Sequence, residues 1–150
     1  MILAPLLASA VIGCTSAFGP PSGWPANASN QTLKVGPLWF TGVLGYAQGL
    51  PPAQPDGWYF AKTPTALRAG HRVVLRIEPR DVGWARFEYA QLARVGALTL
   101  KACAPSPTSL KWTGWSGGFI VHRAGCVHFT AAVDGAAPRR MKLPLGRACA

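Results

Sequence analysis

Residues 71–78, HRVVLRIE, decide the fold class. Val73, Leu75 and Ile77 fall on one side of an extended chain, and Arg72, Val74, Arg76 and Glu78 on the other. This period of two is the pattern of a half-buried β-strand. Asp81-Val82-Gly83 then turns the chain into residues 84–89, where Ala85, Phe87 and Tyr89 alternate with Trp84, Arg86 and Glu88. The same alternation places strands at 33–40 with a bulge at Gly36-Pro37, at 58–60, 96–103, 119–122, 126–132 and 140–145. Residues 119–122 and 126–132 read as a hairpin around Arg123-Ala124-Gly125, with glycine available for positive φ. A two-turn helix at 89–95 is the one helical alternative. Seven or eight short strands with frequent turn signals predict an all-β, antiparallel β-sandwich, immunoglobulin-like or jelly-roll-like, over residues 33–150.

Upstream of that domain the chain changes character. The first charged residue is Lys34. Residues 1–13, MILAPLLASAVIG, form an apolar run too short to span a bilayer comfortably and suited to a signal-peptide core, although no Lys or Arg precedes it. Val11-Ile12-Gly13-Cys14 resembles a bacterial lipobox, a resemblance that implies cleavage before Cys14 and lipidation of its sulfur. Signal cleavage after Ala17 is the competing expectation. Residues 15–32, TSAFGPPSGWPANASNQT, have the composition of a disordered, flexible linker. Asn27-Ala28-Ser29 and Asn30-Gln31-Thr32 match the glycosylation acceptor pattern and are read as turn-rich linker. The expected location is extracytoplasmic, either secreted or anchored to the membrane by lipid.

Fifteen Lys and Arg against five Asp and Glu give a formal net charge of +10. Such a balance favours anionic partners: an anionic envelope polymer, lipid headgroups or nucleic acid, with another envelope protein as a further expectation. No nucleic-acid motif is present, and none is expected as a partner. Arg72, Arg76 and Arg80 recur every four residues and are expected on one strand face, near Arg86.

Four cysteines, Cys14, Cys103, Cys126 and Cys149, allow three complete pairings. If Cys14 carries lipid or leaves with the leader, one thiol is odd. Cys103–Cys126 is the favoured disulfide because it brackets a long loop at 105–118. Cys126–Cys149 is the alternative, since the start of one strand and the end of the next lie at the same end of a sheet. His122, Cys126 and His128 are the clustered soft ligands. They lack the fourth ligand of a closed zinc site and a nearby axial methionine for copper, Met141 being distant in sequence. A disulfide at Cys126 would remove the thiolate that a Cys126/His128 nucleophile pair needs.

Asp56, Asp81 and Asp134 sit beside glycine in turn contexts, and Glu78 and Glu88 are expected to pair with Arg76 or Arg86. Gly114-Trp115-Ser116-Gly117-Gly118 carries the letters of a nucleophile elbow without its strand-to-helix context. No enzyme, metal or cofactor is expected. Trp112 and Trp115 in the loop KWTGWSGG, with Lys111 beside them, are the candidate ligand contacts, suited to stacking on sugar rings or inserting at a membrane interface; the alternative reading is that they cap the end of the sandwich and cover the disulfide. Trp39, Trp58 and Trp84 are read as core or half-buried.

The run Ala102-Cys103, Gly117-Gly118-Phe119, Cys126-Val127, Leu145-Gly146 and Cys149, with Val35-Gly36-Pro37-Leu38, resembles small secreted proteins of uncharacterised function from high-GC actinobacteria. The resemblance implies export and a disulfide, and brings no active site. The sequence therefore points to a non-catalytic cell-envelope protein that binds or scaffolds. The first alternative is a module for glycan or anionic wall polymer. The second is a small extracytoplasmic enzyme built on Cys126 and His128.

Overall fold

The structure, a computed structural model, describes residues 8–17, 30–91, 94–105 and 111–150. Most of the expected linker, the glycosylation pattern at Asn27, and the Ser106-Pro107-Thr108 segment lie outside the described residues. The fold is all-β. Twelve strands are described: β1 (Ser9–Ile12), β2 (Leu33–Val35), β3 (Leu38–Phe40), β4 (Tyr59–Lys62), β5 (Thr65–Arg68), β6 (Arg72–Ile77), β7 (Ala85–Tyr89), β8 (Ala97–Lys101), β9 (Trp112–Trp115), β10 (Gly117–Val121), β11 (Gly125–Val133) and β12 (Arg139–Leu145). They form a five-stranded sheet β1-β8-β6-β11-β12, a three-stranded sheet β4-β10-β7 and a four-stranded sheet β2-β3-β5-β9, packed as a small sandwich.

The deciding stretch behaves as its alternation requires. Val73, Leu75 and Ile77 are buried, while Arg72 and Arg76 are exposed. Inward residues from all three sheets meet at four phenylalanines. Phe40 of β3 lies 5.5 Å from Phe119 of β10 and 5.8 Å from Phe129 of β11. Phe87 of β7 lies 5.3 Å from Phe119. All four are fully buried. Such ring pairs add about 0.5–1.5 kcal/mol each beyond the area they remove from water.

Several expectations are corrected. The strand count is higher than seven or eight because four-residue strands at 9–12, 65–68 and 112–115 are too short to show a period. Residues 33–40 are a hairpin rather than one bulged strand: Val35 pairs with Leu38, and Gly36 supplies a φ of 56° between them. Residues 119–122 and 126–132 are not a hairpin, because β10 pairs with β4 and β7, whereas β11 pairs with β12 and β6. The chain crosses from one sheet to the other there. Gly125 makes the corner fit, since a Cβ would lie 2.8 Å from the Trp84 ring. A strand central to its sheet and buried on both faces shows no alternation, and Phe119, Ile120 and Val121 are all fully buried. The described residues of 89–95 are not helical. Ala90 and Gln91 have φ of 52° and 58°, and Phe87 and Val95 exchange backbone hydrogen bonds instead.

The N-terminal segment is part of the sandwich. β1 pairs in parallel with β8 from Ser9↔Ala97 to Ile12↔Leu100, and Ile12 is buried in the core. The folded unit thus reaches beyond 33–150 into the segment expected to be leader. Parallel register carries Cys14 alongside Cys103, and the two form a disulfide with a Cα–Cα distance of 4.7 Å. That bond occupies the Cys14 sulfur in this folded form.

The favoured Cys103–Cys126 pair is corrected as well. β6 lies between β8 and β11, putting those strands about 10 Å apart, beyond the reach of about 7 Å for bridged Cα atoms. β8 and β11 both run antiparallel to β6, so Cys103 and Cys126 also sit at opposite ends of the sheet. The alternative forms: Cys126 opposes Pro144, the chain turns at Gly146, and Cys149 returns to bond Cys126 with Cα atoms 5.0 Å apart. The loops closed span 89 and 23 residues. Constraint of the unfolded chain by loops of those lengths is worth about 5 and about 3 kcal/mol respectively.

Two measurements test this architecture. Phe119→Ala should lower unfolding stability by about 3–5 kcal/mol in urea titration, and a loss under about 1 kcal/mol would contradict its place at the junction of the sheets. Alkylation of the unfolded, unreduced chain should leave all four cysteines unmodified, with all four reacting after reduction.

Candidate binding face

The outer surface of the four-stranded sheet carries an aromatic and basic cluster whose placement follows from strand register. Lys34 pairs with Trp39, Trp39 with Ala66, and Ala66 with Gly114, so these residues form one row across the sheet. Two residues along, Arg68 pairs with Trp112 on the same face. Ala66 and Gly114 are small, and both are buried although they point outward. The two indoles lie over that low floor. Their ring centroids are 4.8 Å apart at an interplanar angle of 52°.

Each indole carries a cation. Lys34 Nζ lies 4.2 Å from the Trp39 ring centroid, and the Arg68 guanidinium lies 5.3 Å from that of Trp112. Both cationic residues are exposed, as is Lys111 just before β9. Cation–π contact fixes these long side chains without neutralising them. No acidic residue occurs in any strand of this sheet. All five carboxylates of the chain are paired elsewhere: Glu78 with Arg80 and Arg140, Asp56 and Glu88 with Arg94, Asp81 with His128, and Asp134 with His71. The face is therefore a preorganised patch of uncompensated positive charge around two half-buried rings.

Of the expected ligand contacts, Trp112 belongs to this face and Trp115 does not, while Lys111 is exposed just before β9. Trp115 is fully buried, and its Nε1–H donates to the Gly13 carbonyl at 3.0 Å. The reason is parity: residues 112–115 form a strand, and positions three apart point to opposite sides of it. Trp39, Lys34 and Arg68 take the place expected of Trp115. A four-residue strand rich in glycine and tryptophan has the composition of a loop, which hides this parity in the sequence.

A second basic surface covers the five-stranded sheet. Arg72 opposes Lys101, while Arg76 and Arg140 flank Thr130, and Lys142 opposes His128. Arg72 and Arg76 thus share a face as expected, but Arg80 lies in the following turn and Arg86 in another sheet, where its Nε–H donates to the Val82 carbonyl. Glu78 bonds Arg140 and Arg80, each at 3.1 Å, in place of the expected Arg76. Glu88 bonds Arg94 in place of Arg86. The Arg140 hydrogen bond, with Arg80 charge behind it, holds the Glu78 carboxyl below the usual carboxylate range. The backbone N–H of Arg72, then His71, does the same for Asp134.

The soft-ligand cluster is divided. His122 packs on Trp58 with centroids 5.0 Å apart, while His128 bonds Asp81. Among the described residues no group of three or more His, Cys, Asp or Glu is placed to hold a metal ion, and no helix is long and apolar enough to cross a membrane. Asp81 is more than a turn residue. It is buried, with Oδ2 accepting from the His128 backbone N–H at 2.7 Å and Oδ1 accepting from Trp84 Nε1 at 3.2 Å. Tyr89 is the other buried polar anchor: its hydroxyl donates to the Thr63 carbonyl and accepts from Thr65, and burial pushes its phenol above the ordinary range.

The Glu78 contacts have a pH signature. A carboxylate whose folded pKa is lowered contributes stability above its unfolded pKa, and loses it as pH falls through the folded value. Arg140→Ala should move the Glu78 titration upward, toward the ordinary glutamate value, when followed by carboxyl-carbon NMR. An unmoved titration would contradict the assignment of the shift to Arg140.

No protein-family model matches the chain, and no match is found among curated proteins or among solved structures.

Proposed function

We propose that this chain is an exported, non-catalytic binding domain of the cell envelope, and that its Trp39–Trp112 face takes an anionic glycan polymer. The observation that carries the reading is the pairing of two outward indoles with two cations that no carboxylate neutralises. A polymer of charged sugars presents alternately what this face receives. Apolar C–H faces pack on the indole rings, and carboxylate or phosphate groups meet Lys34 and Arg68. Because the rings and cations already hold one another, little side-chain entropy remains to be lost on binding. The net charge of +10 would steer such a polymer toward the domain at low salt.

Two disulfides and no free cysteine are chemistry suited to an oxidising compartment, which supports an extracytoplasmic location. Within that location we favour secretion with residues 9–14 retained over anchorage through lipid on Cys14, because the Cys14–Cys103 bond and a lipidated Cys14 are mutually exclusive.

Calorimetric titration with polygalacturonate tests the assignment. Trp39→Ala and Trp112→Ala should each weaken binding at least about tenfold, a loss near 1.4 kcal/mol. Lys34→Ala combined with Arg68→Ala should flatten the salt dependence. Neutral dextran should bind weakly, and phosphatidylglycerol vesicles should not compete. Variants that fold normally and bind polygalacturonate as tightly as the parent would overturn the proposal.

A further inference from the structure

The Cys126–Cys149 disulfide is not equivalent to its counterpart at Cys14–Cys103. Cys126 and His128 are two residues apart on β11 and share its outer face, with Cys126 Sγ 3.9 Å from His128 Nε2. The other ring nitrogen, Nδ1, is 2.8 Å from Asp81 Oδ2, and Asp81 is only 6 % exposed. Asp81 is itself fixed by Trp84 Nε1 and by the His128 backbone N–H. A buried carboxylate therefore orients an imidazole whose free nitrogen faces a disulfide sulfur. That is the arrangement by which Cys–His–carboxylate sites stabilise a thiolate. Beside His128 lies a hollow of about 360 Å³ lined by Glu78, Arg80, His128, Arg140, Met141 and Lys142. Three of those side chains are cationic.

We infer that Cys126–Cys149 is a thiol-exchange site that reacts with small anionic thiols, with His128 stabilising Cys126 as the leaving thiolate. This site is separate from the Trp39–Trp112 face and does not depend on its function. In its doubly protonated form, His128 keeps Nδ1–H on Asp81 and turns Nε2–H toward Cys126 Sγ. A thiolate RS⁻ attacks Cys149 Sγ and forms a mixed disulfide there. The Cys126–Cys149 bond breaks, and its electron pair leaves on Cys126 Sγ, which takes the Nε2 proton. A second thiolate attacks the mixed disulfide, releasing RSSR and the Cys149 thiolate. The protein disulfide gains two electrons, and two thiols are oxidised to one disulfide. The cationic lining beside His128 raises the local concentration of a thiol bearing carboxylates.

Opening this bond has a local structural effect. Cys149 follows the end of β12 at Leu145, so reduction removes the covalent tie on residues that lie after the last described strand. The Cys14–Cys103 bond, by contrast, ties β1 to the core.

Simple solvent access predicts the opposite order, because Cys14 is exposed and both Cys126 and Cys149 are half-buried. The oxidised full-length chain is treated with limiting glutathione, quenched by alkylation and mapped by peptide mass. Cys126–Cys149 should open at least about tenfold faster than Cys14–Cys103, with the glutathione adduct on Cys149. His128→Gln should slow opening at least about fivefold. A side chain that served only to support the fold would give faster opening when replaced, so the sign of the change separates the two roles. Cysteamine, a cationic thiol, should react more slowly than glutathione with the parent, and Arg140→Glu with Lys142→Glu should abolish that preference. Equal opening of the two bonds, an adduct on Cys126, or an unslowed or accelerated His128→Gln variant would each overturn the inference.

Discussion

The packing of Phe40, Phe87, Phe119 and Phe129 is the contact on which the remaining architecture rests. Each ring comes from an inward position of its strand, and together they bring all three sheets to one point. No single sheet here has enough apolar surface to be stable alone, and the three- and four-residue strands have few ladder bonds to contribute. Burial of these rings against neighbouring Leu, Val and Ile supplies the common driving force. The outward face of every strand is then set by period two. That is how a contact deep in the core fixes the positions of Trp39 and Trp112 on the surface.

Edges are the weak points of such a construction, and each disulfide secures one. Cys14–Cys103 holds β1, the outermost strand of the five-stranded sheet, on β8. Cys126–Cys149 folds the C-terminal residues back over the start of β11 beside the other edge strand, β12. Trp115 reinforces the first clamp from inside, its indole N–H reaching the Gly13 carbonyl. The same residue that is unsuited to ligand contact therefore ties the N-terminal segment to the core.

The longer alternating strands were legible in the sequence. Residues 72–77 and 85–89 show inward residues every second position, and those residues are the buried ones. β10 was partly legible, because a strand buried on both faces reads as a continuous apolar run that does not say which sheet it joins. β1 was illegible for a different reason. An apolar run followed by a cysteine has the same composition in an exported leader and in an edge strand, and only its register against β8 distinguishes them. For the binding face, Trp112 was within reach of the sequence. Trp39, Lys34 and Arg68 were not, since their proximity depends on non-local pairings among β2, β3, β5 and β9.

The functional account divides the surface by chemistry. One face joins aromatic rings to free cations and is suited to an anionic glycan. A distant face places a His–Asp pair against an exchangeable disulfide. The first is the central claim, and the six tryptophans of the chain provide its internal control. Following the indole N–H resonances by two-dimensional NMR during titration with polygalacturonate tests it most directly. The account predicts that the Trp39 and Trp112 resonances shift together and saturably, while that of Trp115, bonded to Gly13, stays fixed. Shifts confined to Trp58 or Trp84, or no shift at saturating polymer, would contradict it.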